Sequence, residues 1–509
     1  MKLFWLLAVG ACLVLGGASV WMGGLNQDEG WYLYAANLLA EGKVLYRDFF
    51  FTQGPGMPGI YRAFTWVWES WGLLGARVFT LILGLVGICL ATGLARRLAP
   101  EGRRGEAALV TFLLLGCNLY HLYYVAIPKT YALASVWVMA GFFLLAVGRK
   151  PFVMVCAGLA LAYAAGTRIS LGALLCVVGL GLLFARRWKT LLWFCVGGFG
   201  GLALVYGPSL CDPGTRAGLI AAQQYHAARG GFDITWTVGS FSRLVRWYLP
   251  VFVVLGLGVA HVLMARAGVS ANARTSQTIG QSEQSINPTI LLWGFLAVFA
   301  IQMLAPFPYE DYQVPVMGLL SVFAAVTFVS HGATSRTIEQ SEQSNCLHLL
   351  LVLGLCFANS FGSPLLEKWM TNGQDRFWSL KKEQCELAQL RDVARRVEQL
   401  DPGGKTLLTQ DLYLAVVTGR KVPQGLEMGP FAMLTDAEWR ELLTQTAPAE
   451  CPLAALSGYA FSIEPPKCGE RPIDQQMTYW ELLKENYRLV DREESFGQNA
   501  TTLLILKRR

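Results

Sequence analysis

Eleven apolar runs, each long enough or nearly long enough to cross a bilayer, constrain this chain more than any other feature. They lie at 3–23, 74–95, 106–122, 130–147, 152–167, 169–185, 190–207, 247–265, 289–305, 314–330 and 347–361. A spanning helix takes about 20 residues. Several runs are shorter, and 106–147 and 152–185 can each form a tight hairpin, so the reading tolerates nine to thirteen spans. The composition agrees: of 509 residues, 54% are hydrophobic and only 15% charged, below the share of charge in soluble domains. The expected fold is therefore an α-helical membrane bundle. The first run has only Lys2 before it and a poor cleavage site in "ASVWMGG", so it reads as a retained span rather than a signal peptide.

Orientation follows from Lys and Arg in the short loops. With the N-terminus inside, the inside loops carry "ARRLAPEGRRGE", "GRK", "ARRWK", Arg266 and Arg274, and every Asp before residue 330 falls outside. An odd number of spans puts the C-terminal part outside as well. The net charge of +7 is mostly inside-loop Lys and Arg and calls for no nucleic acid. Most of the twelve cysteines sit in apolar runs and no CxxC occurs, which argues against a zinc site. Cys451 and Cys468 flank one outside loop, and a disulfide between them is left open.

Two near-identical linkers, "SQTIGQSEQSIN" (276–287) and "SRTIEQSEQSNC" (335–346), read as polar spacers. From 362 onwards the composition turns charged. "KKEQCELAQLRDVARRVEQL" has helical spacing and stops at "DPGGK"; "KTLLTQD" and "TTLLILKRR" read as strands; "TDAEWRELLTQT", capped by Thr435 or Asp436, and "YWELLKENY" read as helices. Residues 1–361 are thus expected to form the membrane domain, and 362–509 a small outside α/β domain.

The first outside loop (24–73) carries the most chemistry. It opens with Asp28 and Glu29 immediately after the first apolar run. A charge at that depth is costly, and taken alone the pair is best explained by Asp28 capping a helix. Asn26 or Asp28 can cap a helix there, with Glu29 in its first turn. Trp31, Tyr34, Leu38 and Leu39 then recur at helical spacing, as in a helix lying in the interface plane. "LYRDFF" with Arg47 and Asp48, a Gly/Pro turn and an aromatic stretch containing Arg62 complete the loop.

In "DEGWYLYAANLLAEGKVLYRDFF" and in its layout, the chain resembles the GT-C superfamily of polyprenyl-phosphate-sugar-dependent membrane glycosyltransferases. The likeness is to the family-39-like protein O-mannosyltransferases and to the aminoarabinose and lipopolysaccharide-core sugar transferases. The resemblance implies a GT-C-like bundle of about eleven transmembrane helices with an extracytoplasmic C-terminal domain in the cell membrane. It implies inverting transfer of a hexosyl or pentosyl group from a polyprenyl-phosphate donor to a lipid, glycan or protein acceptor on the outer face. It also implies that Asp28 is the catalytic carboxylate and Glu29 a second acid, as metal or acceptor ligand.

A sugar on a lipid phosphate already has a good leaving group, so the needs are a base and cations for the phosphate. Lys129 in "VAIPKTYAL" and Arg168 in "AAGTRISLGALL" are the main cations; the latter stretch resembles one found in these transferases, and Arg62 is a weaker candidate. Both main cations could equally be snorkelling residues. Tyr309 and Tyr312 in "APFPYEDYQVPVMGLL" resemble the family's late donor-phosphate turn, with Glu310 and Asp311 between them. An aromatic belt explains at least one of these tyrosines equally well. Arg47, Asp48, Glu310 and Asp311 are assigned to acceptor or supporting roles. His121 and His226 are the outside-facing histidines, and a divalent metal ion is left open. The rival reading is a transporter or flippase of lipid-linked sugars, but the halves show no inverted repeat. A non-catalytic membrane scaffold is the third.

Overall fold

The computed structural model describes residues 1–228, 231–268, 287–330, 347–362, 385–429, 432, 434–457, 476–498 and 500–509. The two Ser/Gln linkers fall outside these residues but for Asn287, as do Cys468 and the start of the region after 362. Cys451 is a buried thiol.

Helices dominate. In chain order they are α1 (Lys2–Met22), α2 (Gln27–Ala40), α3 (Gly56–Tyr61), α4 (Thr65–Leu98), α5 (Arg104–Gly116), α6 (Leu119–Ala126), α7 (Thr130–Val147) and α8 (Pro151–Thr167). There follow α9 (Ala173–Phe184), α10 (Trp188–Cys211), α11 (Pro213–Ala228), α12 (Ile234–Trp247), α13 (Leu249–Gly268), α14 (Thr289–Met303), α15 (Val314–Ser330) and α16 (Leu347–Gly362). Among the described residues, five helical stretches are long and apolar enough to cross a membrane. Two bent pairs, α5 with α6 and α12 with α13, raise the number to seven. Helices α8, α14 and α16 and the stretch Ile169–Phe184 are apolar but shorter. The outer faces carry bare Leu6, Val14, Phe152, Phe184 and Phe199, each more than two-thirds exposed. Exposed apolar side chains of this kind suit a membrane or another apolar partner.

Inside the bundle, α8 and α10 touch backbone to backbone. A Cβ on Gly158 would stand 2.2 Å from Phe194 O, and one on Gly197 2.0 Å from Val155 O. Small residues are what permit such approach. Helix α4 is two helices joined at Gly72, whose φ of 62° is open to glycine at little cost. The joint separates the aromatic stretch of the first loop from the apolar helix behind it.

The C-terminal part holds α17 (Glu386–Leu400), α18 (Leu412–Thr418), α19 (Asp436–Glu441), α20 (Ala447–Glu450) and α21 (Gln476–Asn486) around three strands. These are β1 (Leu453–Leu456), β2 (Tyr487–Phe496) and β3 (Thr501–Arg508), antiparallel in the order β1-β3-β2. The expected strand "KTLLTQD" is only a ribbon of isolated bridges, with Leu408 parallel to Ala454. Thr435 caps α19 through a capping box with Glu438.

Among the described residues the buried apolar side chains form two cores. One fills the bundle. The other joins the first loop to the C-terminal part: Trp31, Tyr34, Leu38, Phe51 and Trp68 share it with Leu390, Leu412, Tyr413 and Leu504. This corrects the interfacial reading of α2. Its apolar residues face protein on all sides, and almost every residue from Glu29 to Leu38 is buried. The helical spacing of Trp31, Tyr34 and Leu38 is the same for a lipid surface as for a second domain.

Asp411 is buried where the "LLTQD" ribbon enters α18. Burial pushes its pKa up to about 6, although the Ser457 and Tyr413 hydroxyls both donate to it. Its folded pKa therefore lies above the ordinary 3.8. The stability it contributes is complete below that value and is lost as pH rises through about 6. Between pH 5 and 7.5 the loss is about 1 kcal/mol. The unfolding free energies in detergent of wild type and Asp411→Asn should diverge by that amount over this interval. Parallel pH curves would contradict the assignment.

Candidate functional site

The site is built on the turn between α1 and α2. Asn26 caps α2: its side chain accepts from the Asp28 N–H at 3.1 Å, while Glu29 Oε1 accepts from the Asn26 N–H at 2.9 Å. With the capping box satisfied by Asn26 and Glu29, the Asp28 carboxylate has no part in capping. It turns instead towards the bundle. Asp28 Oδ2 lies 2.8 Å from Lys129 Nζ, and Oδ1 accepts from Trp31 Nε1 at 3.1 Å. Its side chain keeps a quarter of its surface accessible, against 7% for that of Lys129.

Lys129 stands just before α7 and bridges two acids. Its ammonium also lies 3.2 Å from Asp311 Oδ2, which accepts from Tyr131 OH at 2.8 Å. Burial opposes the ammonium, but Asp28, Tyr131 and Asp311 outweigh it and hold the Lys129 pKa well above its ordinary value. Arg168, at the end of α8, donates to Thr130 Oγ1 at 3.0 Å. Its guanidinium is sandwiched between the rings of Tyr131 and Tyr312, 4.9 and 4.8 Å from their centroids. Its Nε is buried and has no hydrogen-bond partner among the described residues. Four segments thus converge: the α2 N-terminus, the turn before α7, the end of α8 and the turn before α15.

Of the residues singled out in the sequence, Asp28, Lys129, Arg168, Asp311 and Tyr312 meet here. Tyr309 packs edge-on against Tyr312 at 5.5 Å and is more exposed, so it lies at the rim. Glu310 points elsewhere, paired with Arg243 at 3.0 Å and Ser240 at 3.2 Å. Arg47 and Asp48 pair with each other at 3.0 Å at the surface, and Arg62 is exposed. The acceptor or supporting roles expected of Glu310, Arg47 and Asp48, and the phosphate role of Arg62, gain no support from this geometry.

The expectation for Glu29 changes. Its side chain is wholly buried against Arg77 of α4. Arg77 donates to it from Nε at 2.7 Å and from Nη2 at 2.6 Å. The same guanidinium binds the carbonyls of Val20, Gly23 and Gly24 at 3.1, 2.8 and 2.9 Å. Both Glu29 oxygens are engaged, so it serves as a post rather than a ligand for metal or acceptor. Arg77 and Tyr131 were not singled out in the sequence. For Arg77 a signal existed: it is a lone charge inside an apolar run, which by itself marks a functional or structural partner. Tyr131 carried none.

As for a metal, no group of three or more His, Cys, Asp or Glu among the described residues could hold one. His121 is buried, 3.0 Å from Tyr248 OH. The two carboxylates of the site already share the Lys129 ammonium, a donor set that does not fit an additional divalent ion.

No protein-family model matches the sequence, and no curated protein does. Solved structures do. ArnT from Cupriavidus metallidurans matches in the apo state with a TM-score of 0.61 and 16% identity, over 99% of this chain and 98% of that one. The same protein bound to undecaprenyl phosphate matches with a TM-score of 0.59 and 16% identity, over 98% and 97%. An Archaeoglobus fulgidus oligosaccharyltransferase, tethered with an acceptor peptide containing the NVT sequon, gives 0.48 and 11%, over 97% and 74%. The likeness to ArnT is one of fold along nearly the whole length. The likeness expected from the layout of the chain holds as a likeness of fold to ArnT.

Proposed function

We propose that the chain is an inverting GT-C glycosyltransferase that moves one sugar from a polyprenyl phosphate to a lipid, glycan or protein acceptor. The observation that carries the reading is the Asp28–Lys129–Asp311 array with Arg168 beside it. It sets one partly accessible carboxylate next to two buried cations at the end of an apolar helix. ArnT, of the same fold, has been solved bound to undecaprenyl phosphate.

In this mechanism Asp28 accepts the proton of the acceptor hydroxyl as its oxygen attacks the anomeric carbon. The bond from that carbon to the phosphate oxygen breaks, and the polyprenyl phosphate leaves as an anion. Lys129 and Arg168 take up the growing phosphate charge. Asp311 and Tyr131 keep Lys129 in place, and Tyr312 flanks Arg168. Glu29 supports the site from below through Arg77. The scheme routes no step through a metal. We further propose that all eleven apolar runs cross the membrane, with residues 362–509 as an extracytoplasmic domain. Labelling that domain in intact cells tests this orientation, and its protection from an impermeant reagent would contradict it.

Neutralising either cation separates this reading from plain snorkelling. Lys129→Met and Arg168→Met should each weaken donor binding by roughly 1.5–3 kcal/mol, the range for hydrogen bonds to charged groups. Acceptor KM should move far less. The assay needs the natural donor, which mass spectrometry of lipid-linked sugars in a strain lacking the protein would identify. Unchanged donor affinity in both variants would remove the phosphate assignment.

A further inference from the structure

We infer that the C-terminal part of the chain positions the Asp28 carboxylate, with Glu386 and Gln498 as positioning residues and Gly30 as the point of contact. The inference rests on Asp28 being the base.

The first turn of a helix leaves N–H groups that its own backbone cannot satisfy. In α2 the capping box serves two of these needs. Two neighbouring amides are served from the far end of the chain. The Leu25 N–H donates to the Glu386 carboxylate at the start of α17. The Gln27 N–H donates to Gln498 Oε1, in the turn between β2 and β3, at 2.9 Å. Asp28 follows directly on Gln27, so both distant acceptors grip the backbone that aims its side chain.

The grip continues along the helix. At Gly30, two residues past Asp28, α18 comes so close that a Cβ would stand 2.2 Å from Tyr413 N and 2.7 Å from Leu412 C. Glycine in a helix interior is unfavourable by roughly 1 kcal/mol relative to Ala; here it allows the two backbones to meet. Further on, the Val422 N–H donates to Tyr34 OH at 3.0 Å, and Lys421 pairs with Glu41 at 2.6 Å. The shared hydrophobic core completes the clamp. Helix α2 is thereby fixed to the C-terminal part along its length, while Lys129, Arg168 and Asp311 belong to the bundle. The geometry between base and cations is set jointly by this docking and by the Glu29–Arg77 pair that ties α2 to α4. A displacement of about 1 Å is enough to cost a catalyst roughly 10²-fold.

The test uses the full-length protein in detergent or vesicles, with donor and acceptor KM and kcat measured for four variants. Gly30→Ala strengthens the helix itself but wedges it from α18. Gln498→Ala removes one acceptor at a half-buried turn. Glu386→Ala removes the other, and Glu386→Gln restores an acceptor oxygen. The first three should lower kcat by roughly 10–100-fold with donor KM within about twofold. Exchange of the Leu25 and Gln27 amides should quicken, and Glu386→Gln should recover most of the rate. If Gly30→Ala or Glu386→Ala fails to accumulate, Gln498→Ala decides. A normal kcat in Gln498→Ala with faster exchange at Gln27 overturns the positioning role, and so does an equal rise in donor KM. The base reading is judged separately: a fully active Asp28→Asn ends both, whereas an inactive Asp28→Asn beside a fully active Gln498→Ala ends only the positioning role.

Discussion

Replacing Arg77 by methionine should destabilise the protein more than any other single change considered. Methionine roughly fills the volume but leaves the Glu29 carboxylate buried without its partner and three carbonyls without their donor. Breaking a buried ion pair in this way costs about 3–5 kcal/mol, a large part of the stability of an ordinary domain. The expected result is a sharply lower thermal midpoint in detergent and little protein in the membrane. Adding Glu29→Gln to Arg77→Met should recover part of the loss, because it removes the stranded charge. Glu29→Gln alone should be milder, since an amide oxygen can still accept from Arg77. The double-mutant cycle isolates the pair. If Arg77→Met and wild type melt together, the pair does not hold α1, α2 and α4 together as described.

This outcome would also separate the two acids that adjoin in the sequence. Asp28 and Glu29 are consecutive, so a helical backbone turns their side chains to different sides. Glu29 faces α4 and meets Arg77; Asp28 faces the turn before α7 and meets Lys129. From the sequence, the pair could be recognised as unusual, and Asp28 could be preferred by resemblance. The division of roles could not be read, because it depends on which helix lies behind α2.

The same holds for the rest of the site. Lys129 and Arg168 were legible as cations in apolar surroundings. Asp311 was legible as one of two acids in a turn, but its neighbour Glu310 had an equal claim; only the packing of α12 draws Glu310 away to Arg243. Tyr131 lay hidden in an apolar run, where tyrosine is unremarkable. Helices α1, α7 and α15 coincide closely with apolar runs, because period and hydropathy act locally. In the C-terminal part, β2 escaped notice for a physical reason. It is an edge strand of the sheet and carries "YRLVDREESF", whose charges suit an exposed edge and mask the alternation. Strand β1, "LAAL", is short and has no β-branched residue, so propensity alone favours a helix there.

Asp28→Asn is the variant that bears most directly on the central claim. Asn26, not Asp28, caps α2, so the substitution leaves the cap untouched. Its amide oxygen can still accept from Trp31 or Lys129, while the basic carboxylate is gone. Sugar transfer should fall by roughly 10²–10⁴-fold, the usual share of general-base catalysis. Protein level, thermal midpoint and donor binding should stay near wild type. The measurement is the turnover of Asp28→Asn in reconstituted vesicles at saturating donor and acceptor, beside wild type at equal protein. A loss in that range with donor binding intact is the predicted result; full turnover would contradict the assignment of Asp28 as the base.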